Sequence, residues 1–324
     1  MRVSVIIPVF NAAPFIKGCI DCLVRQTYSD FEVLFIDDHS SDGSFELIKK
    51  LLADTNLDWK ASSNVVNKGT GYSRNRGIAM ANGDYIFLMD QDDAVSSDCL
   101  SVLVSAADEN EWPDVVMADV KASNYHYNVG FGGKIKLLRG NDSIRRAFFN
   151  NEWYEMPWNK LVRLDYIKKT NLLFPEGIFY EDTPWAFHIA LTAETMVLVP
   201  KLTYVWHNGE SQKTASQKTE IRINDQIISF SSMYALVNIN AANNQDALMW
   251  LDQIGAGYML SVFREKALKP LIKRNAYHRL RAECHRSEIR QIISDSGVPR
   301  GVKAMMIYRL LPEWMGYGYL HLFK

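Results

Sequence analysis

The stretch that most constrains this chain of 324 residues is Tyr85-Ile86-Phe87-Leu88-Met89, followed at once by Asp90-Gln91-Asp92-Asp93. A run of β-formers that ends abruptly in carboxylates reads as a buried strand discharging acids at its C-terminal end. Open α/β sheets place their ligands at that edge. Asp90 and Asp92 stand one residue apart, so both can face one point in an extended or tightly turned segment. The spacing suits a hard cation: Mg2+ or Mn2+ accepts one or two such carboxylates and takes its other oxygens from water and a diphosphate. A solvated acidic turn with Asp93 capping the next helix accounts for the same residues equally well.

The rest of the chain repeats this grammar. Val3 to Ile7 predicts a first strand, broken by Pro8-Val9-Phe10-Asn11, and Pro14 suits the first turn of a helix reaching about Gln26. Phe31 to Asp37 predicts a second strand, again ending in acids at Asp37-Asp38, and the amphipathic Phe45 to Leu52 a helix. A weaker strand near Trp59 to Val66 and a helix near Tyr72 to Ala81 lead into the strand at Tyr85. Beyond the acids the pattern predicts a helix over 98–110, a strand over 114–120, and short strands or loops over 121–140. Helices over 139–149 and 159–169, a loop over 171–180 and a helix over 182–193 come next. A last strand over 196–207 is interrupted by Pro200, and everything after about residue 220 reads as helix. Such alternation implies an α/β protein, a mostly parallel sheet with helices on both faces, followed by a helical C-terminal region. The expected boundary lies in the polar stretch 208–222.

Composition excludes several classes. With 48% hydrophobic and 23% charged residues the chain is an ordinary globular protein, not a disordered one. No apolar run approaches a transmembrane length, and Met1-Arg2 passes into a strand without a signal-peptide pattern, so a cytoplasmic protein is expected. Four cysteines make no disulfide framework in a chain of this length. Cys19 and Cys22 lack a second pair for zinc and share helical spacing with Phe15 and Leu23, which points to a packed helix face. The net charge of −1 hides an asymmetry: residues 264–324 carry 13 Lys/Arg against 5 Asp/Glu. There, Pro299 to Leu311 places apolar residues at helical spacing among Lys303 and Arg309, and Trp314, Tyr317, Tyr319 and Phe323 follow. Two expectations fit: helices docking reversibly on an anionic membrane at the inner face, or helices packing on the core or on a second subunit, so a homodimer stays open. No nucleic-acid partner is expected.

Gly69-Thr70-Gly71-Tyr72-Ser73-Arg74 is no dinucleotide fingerprint, because Arg74 replaces the third glycine and the segment is not the first strand–helix turn. No P-loop occurs either. An edge bearing Asp37-Asp38 and Asp90-Gln91-Asp92-Asp93 would repel itself without cations, and a metal plus Arg74 would make a diphosphate welcome.

These residues also carry a resemblance. Val5-Ile6-Ile7-Pro8-Val9-Phe10-Asn11, Gln26-Thr27-Tyr28-Ser29-Asp30-Phe31-Glu32, Asp37 to Ser44, Asn67-Lys68-Gly69 with Ser73 to Gly77, and Asp90-Gln91-Asp92-Asp93 closely resemble glycosyltransferase family 2, inverting enzymes of GT-A fold. The match is dense over residues 3 to about 100 and continues loosely through Trp158-Asn159-Lys160-Leu161 and Phe174-Pro175-Glu176-Gly177 to Tyr180-Glu181-Asp182. It implies a GT-A domain over 1–220, with nucleotide-sugar binding in 1–100 and the acceptor side in 101–220, ahead of a helical region over 221–324. It further implies that Pro8, Phe10 and Asp38 frame the base and Asp90 reaches the ribose, with Arg74 against the same pocket. Asp92 holds Mn2+ or Mg2+ on the diphosphate, joined by His207, Asp182 is the catalytic base, and Glu181 supports it. His39 stands where the family usually has Gly. By family habit the donor is UDP-linked, and the acceptor a bacterial surface glycan or a lipid-linked one.

Flat aromatic faces suit sugar rings, and Trp153, Tyr154, Trp158, Phe179, Tyr180 and Trp185 lie around the proposed base in the sequence. Trp158, Tyr180 and Trp185 are the candidates for acceptor binding, while about half of the six are expected to be plain core. Two other functions compete with this one. A sugar nucleotidyltransferase would need a Gly-rich, basic phosphate loop, yet residues 8–14 hold neither glycine nor a basic residue. A catalytically inactive nucleotide-sugar-binding subunit is disfavoured by the presence of every acid and of Arg74.

Overall fold

In the computed structural model of the chain, the described residues are 1–122, 126–127, 133–207, 220–239, 245–265, 268–282, 289–290, 293–294 and 300–320. Two compact units divide it: residues 1–177 with 181–213, and residues 178–180 with 214–324. The expected boundary at 208–222 falls largely on residues outside the described set.

Among the described residues, the first unit holds a ten-stranded sheet flanked by helices. Its first half follows the predicted alternation: β1 (Val3–Val9), α1 (Ala13–Val24), β2 (Phe31–Asp37), α2 (Ser44–Ala53), β3 (Asp58–Ser63), α3 (Thr70–Met80) and β4 (Tyr85–Leu88). These strands lie parallel in the order β3-β2-β1-β4. β1, β2 and β4 are buried along their whole length, as continuous apolar runs require. Pro8 does not break β1, which continues through Val9 against Asp37 of β2. The reason is local. β4 ends opposite Ile6, and by strand alternation Pro8 faces that same side, so its missing N–H leaves no gap in a ladder.

The second half adds β5 (Ala94–Val95), α4 (Cys99–Asp108), β6 (Val115–Ala122), β7 (His126–Tyr127), β8 (Lys136–Arg139), α5 (Asn141–Phe149), β9 (Lys160–Arg163), α6 (Leu164–Thr170), α7 (Asp182–Thr192) and β10 (Thr195–Trp206). The sheet continues β4-β9-β6-β10-β5, with β9 antiparallel to both β4 and β6. Here the expected helix over 159–169 is corrected, because it begins only at Leu164. Asn159 takes φ 56, a left-handed conformation that interrupts a helix, and its amide nitrogen donates to the carbonyls of Ala118 and Asp119, each at 3.0 Å. Since β9 runs against its neighbours, its first residue lies toward the edge where β4 ends. The expected interruption at Pro200 is a register shift between Val199 and Leu202 inside a continuous β10. Asp93 does not cap α4: it is buried in the turn, and Asp98 precedes the helix.

The second unit contains α8 (Glu220–Ile239), α9 (Gln245–Arg264), α10 (Pro270–Ala282), α11 (Arg300–Leu310) and α12 (Glu313–Leu320). At its centre Arg309 pairs with Asp252 at 2.5 Å, both sealed from solvent, and the Tyr234 hydroxyl donates to the same carboxylate at 2.5 Å. Arg281 donates to the Tyr308 carbonyl and the Tyr277 hydroxyl, each at 2.7 Å. Of the tail aromatics, Tyr317 packs edge-on against Phe263 and Tyr277, and the Tyr319 hydroxyl donates to the Ala304 carbonyl at 3.0 Å. Trp314 is 78% exposed, and Phe323 lies outside the described residues. Among the described residues no helix is long and apolar enough to cross a membrane.

Candidate active site at the carboxyl edge of the sheet

The acidic turn after β4 is braced on several sides. Between the two candidate acids, Gln91 turns away and docks on the end of β1: its Oε1 accepts the Phe10 N–H at 2.8 Å and its Nε2 donates to the Phe10 carbonyl at 3.4 Å. Asp93 is 4% exposed and accepts the Tyr204 hydroxyl at 2.6 Å and the His207 N–H at 2.9 Å. Burial, then the charges of Asp90 and Asp92, push the Asp93 carboxyl up from its ordinary value, and those two hydrogen bonds oppose them. Sequence reasoning gave no role to Gln91 or Tyr204. A period-two reading of the turn, which aims Gln91 opposite to Asp90 and Asp92, could have found the first.

At the ends of β1 and β2, Pro8 is buried, Phe10 is half-buried, and Asp38 is buried. The Asp38 carboxylate accepts Asn64 Nδ2 at 2.8 Å, the Lys68 N–H at 2.8 Å and the Gly69 N–H at 2.7 Å. It thereby fixes the loop that opens α3. His39 takes φ 63, the left-handed conformation that the expected glycine would adopt without strain, so the turn keeps its shape with a costlier residue.

From α3, Arg74 reaches into the site at 4% exposure. Nη2 holds Asp90 at 2.9 Å and Nη1 holds Glu181 at 2.9 Å, while Nε is buried with no hydrogen-bond partner. Burial works against the guanidinium's charge, but Asp90 and Glu181 outweigh it. Its Cζ lies 5.2 Å from the centroid of Phe174, which stacks in turn on Trp185 at 4.8 Å. α3 approaches this region closely because residue 71 is glycine: a β-carbon there would collide with the Pro175 carbonyl and touch Glu181.

Asp182 opens α7, where the helix dipole favours an acid, and accepts the Thr183 N–H at 3.0 Å. Burial raises the pKa of both Glu181 and Asp182, with Arg74 pulling each back. Two further groups belong to this corner. Glu155 accepts the Thr183 hydroxyl at 3.1 Å. Lys160, the first residue of β9, is fully enclosed, donates to the Met156 carbonyl and sits 3.9 Å above the Tyr154 ring centroid. Burial pulls its amine well below the ordinary lysine range, opposed by Asp182 and Glu155.

Of the acceptor candidates, Trp158 and Trp185 are 3% and 0% exposed. Trp158 stacks on Tyr204 at 4.8 Å, as Trp185 does on Phe174. Both tryptophans therefore back residues that hold charged groups of the site. Tyr180 is half-buried, takes φ 69 and belongs to the second unit.

The metal candidates Asp92 and His207 meet at the turn, with His207 Nδ1 3.0 Å from the Asp92 carbonyl. A carbonyl only accepts, so Nδ1 carries a proton, and in the neutral ring Nε2 has the lone pair. An aspartate and an imidazole oriented through its other nitrogen are donors of the types that fit Mn2+. Among the described residues no three His, Cys, Asp or Glu side chains form a metal-holding group. The remaining ligands would come from a diphosphate and water.

Comparison with known proteins identifies the family. The family model described as "Glycosyl transferase family 2" matches residues 4–170. The chain is 31% identical over 222 residues to the uncharacterized glycosyltransferase EpsJ of Bacillus subtilis, covering 65% of this chain and 62% of that protein. It is 32% identical over 221 residues to a poly(ribitol-phosphate) beta-glucosyltransferase of Bacillus spizizenii, covering 66% of this chain and 34% of that protein. The matched part thus spans less than two thirds of either relative. A crystal structure of Staphylococcus aureus TarS 1-349 in complex with UDP-GlcNAc superposes with a TM-score of 0.79 at 19% identity, covering 99% of this chain and 91% of that one. The two share a GT-A fold. With more than half of its length matched by the family model, the chain belongs to glycosyl transferase family 2.

Proposed function

We propose that this protein is an inverting, metal-dependent glycosyltransferase moving a sugar from a UDP-linked donor to a hydroxyl of a glycan or lipid-linked acceptor. The observation that carries the reading is the bridge Asp90–Arg74–Glu181, in which one guanidinium joins the acids of the β4 edge to the acids that open α7. Inverting transfer needs that division, a carboxylate site for the leaving diphosphate and a separate carboxylate for the attacking hydroxyl. The nucleotide in the TarS complex and the name of the poly(ribitol-phosphate) beta-glucosyltransferase support a UDP-linked donor and a surface-polymer acceptor.

In this reading Pro8, Phe10 and Asp38 frame the base, Asp90 meets the ribose, and Asp92 with His207 holds the cation. Mn2+ or Mg2+, when bound, supplies Lewis acidity to the departing diphosphate. Asp182 takes the proton of the acceptor hydroxyl. The oxygen bonds to the anomeric carbon from the face opposite the diphosphate, whose bond to that carbon breaks and whose oxygen leaves with the electron pair. Its raised pKa makes Asp182 a stronger base than an ordinary carboxylate. Glu181 pairs with Arg74, whose charge also acts on Asp182. Tyr180 offers the sugar a partly exposed ring.

Thermal shift with UDP and Mn2+, then release of free nucleotide from a panel of sugar donors, tests the reading. Asp92→Asn is expected to abolish metal-dependent UDP binding. Asp182→Asn is expected to keep donor binding and to lower turnover by roughly 10²- to 10⁴-fold. A wild-type protein without Mn2+-dependent UDP binding and without turnover of any donor sinks it.

The same reading gives residues 264–324 a reversible contact with the inner face of an anionic membrane, near a lipid-linked acceptor. Its support is the exposure of Trp314 and the excess of 13 Lys/Arg over 5 Asp/Glu there, although Arg309 is spent on Asp252 and Lys273 is buried. Cosedimentation with anionic and neutral liposomes at low and high salt decides the matter, and sedimentation velocity decides whether the protein is a homodimer.

A further inference from the structure

We propose that Tyr204 and Asp93 are positioning residues that hold Asp92 and His207 in register for the cation; the proposal rests on the metal-dependent reading above. Asp92 and His207 are 115 residues apart, at the ends of different strands. Ligands of one ion must stay within about 0.5 Å of their working positions. The backbone ladder between β5 and β10 pairs only Tyr204 with Val95 and Val205 with Ala94. So short a ladder fixes direction better than it fixes a side chain.

The side chains complete the tether. The Tyr204 hydroxyl donates to Asp93 Oδ2 at 2.6 Å and accepts the Asp90 N–H at 3.2 Å. Asp93 Oδ1 accepts the His207 N–H at 2.9 Å. The two oxygens of one carboxylate therefore tie residues 204 and 207 of β10 and its end to the residue that follows Asp92. His207 closes the loop by turning Nδ1 to the Asp92 carbonyl at 3.0 Å, which aims Nε2 away from the turn. Tyr204 is 0% exposed and stacked on Trp158, so water has no route to replace its hydrogen bonds. Both oxygens of Asp93 are taken by Tyr204 and His207, so it acts through its neighbours.

Tyr204→Phe keeps the ring and its stack while leaving Asp93 Oδ2 and the Asp90 N–H without their partner. Mn2+ affinity in the presence of UDP, titrated by the EPR signal of free Mn2+, is expected to fall roughly 10- to 100-fold, the range for losing an outer-shell partner. UDP affinity without metal is expected to stay within about twofold, and turnover to recover as Mn2+ is raised, so that KM for the metal moves and kcat does not. Asp93→Asn is the second variant. Its amide nitrogen donates toward Tyr204, whose hydroxyl then faces two donors and has no acceptor, while Oδ1 still receives His207. A smaller loss in the same direction is expected, and this variant decides the matter if Tyr204→Phe does not fold. A folded variant that binds Mn2+ with UDP as the wild type does overturns the proposal and leaves Tyr204 a core residue. A wild-type protein with no Mn2+ affinity overturns the metal reading itself, a result that the variants do not affect.

Discussion

Arg74 and Glu181, 107 residues apart in the chain, meet at 2.9 Å through Nη1 and Oε1, while Nη2 of the same guanidinium holds Asp90 at 2.9 Å. Removing the cation leaves two carboxylates facing each other in a largely buried place. Arg74→Met is therefore expected to cost about 3–5 kcal/mol of folding stability, as breaking buried ion pairs does. Urea denaturation followed by circular dichroism measures it. A loss below about 1 kcal/mol would mean that the carboxylates find protons or water instead.

Two glycines of α3 are set by contact rather than by conformation. A β-carbon at residue 77 would overlap the Ile6 side chain, and one at residue 71 the Pro175 carbonyl oxygen. Helix propensity alone favours alanine over glycine by about 1 kcal/mol. Overlap reverses the sign: Gly77→Ala and Gly71→Ala are each expected to destabilise by about 1–3 kcal/mol, with Gly71→Ala also lowering donor turnover by shifting Glu181. A rise in Tm for either variant contradicts the packing described.

His39 holds φ 63 in a turn where glycine would be unstrained. A left-handed residue with a β-carbon costs about 1–2 kcal/mol, and glycine returns part of that gain as unfolded-chain entropy, about 0.4–1 kcal/mol. His39→Gly is expected to stabilise by roughly 0.5–1 kcal/mol. A drop in Tm would reveal an interaction of the imidazole that outweighs the strain.

Asp182 carries a stability cost whose sign follows from its raised pKa. Below the unfolded value, 3.8, the carboxyl is protonated in both states and costs nothing. As pH rises through the folded value, the buried carboxylate must ionise and the folded state loses stability relative to the unfolded chain. Asp182→Asn is thus expected to raise Tm at pH 7 and to leave it nearly unchanged at pH 3.5. Paired thermal melts at the two pH values check this, and a Tm gain that is larger at low pH refutes it.

In the parallel half of the sheet β1, β2 and β4 were legible because they are continuous apolar runs, a pattern that burial on both faces requires, and β2 and β4 also end in acids. β9 was not. Lys160-Leu161-Val162-Arg163 runs directly into a helix, and only pairing with β4 and β6 makes it a strand. β5, two residues long, has no local signature at all. Within the site, acids and Arg74 were readable from their order, whereas Gln91 and Tyr204 act through partners far away in sequence. Tyr204 looks like any buried strand tyrosine until Asp93, 111 residues earlier, is seen beneath its hydroxyl.

Asp90, Gln91 and Asp93 each have a fixed partner, in Arg74, the Phe10 backbone and Tyr204. A loop that orders only on binding gives up roughly 1–2 kcal/mol of backbone entropy per residue. This turn has already given it up during folding. A ligand arriving at the edge meets a preorganised surface, so encounter and desolvation, rather than loop closure, set how fast it is captured.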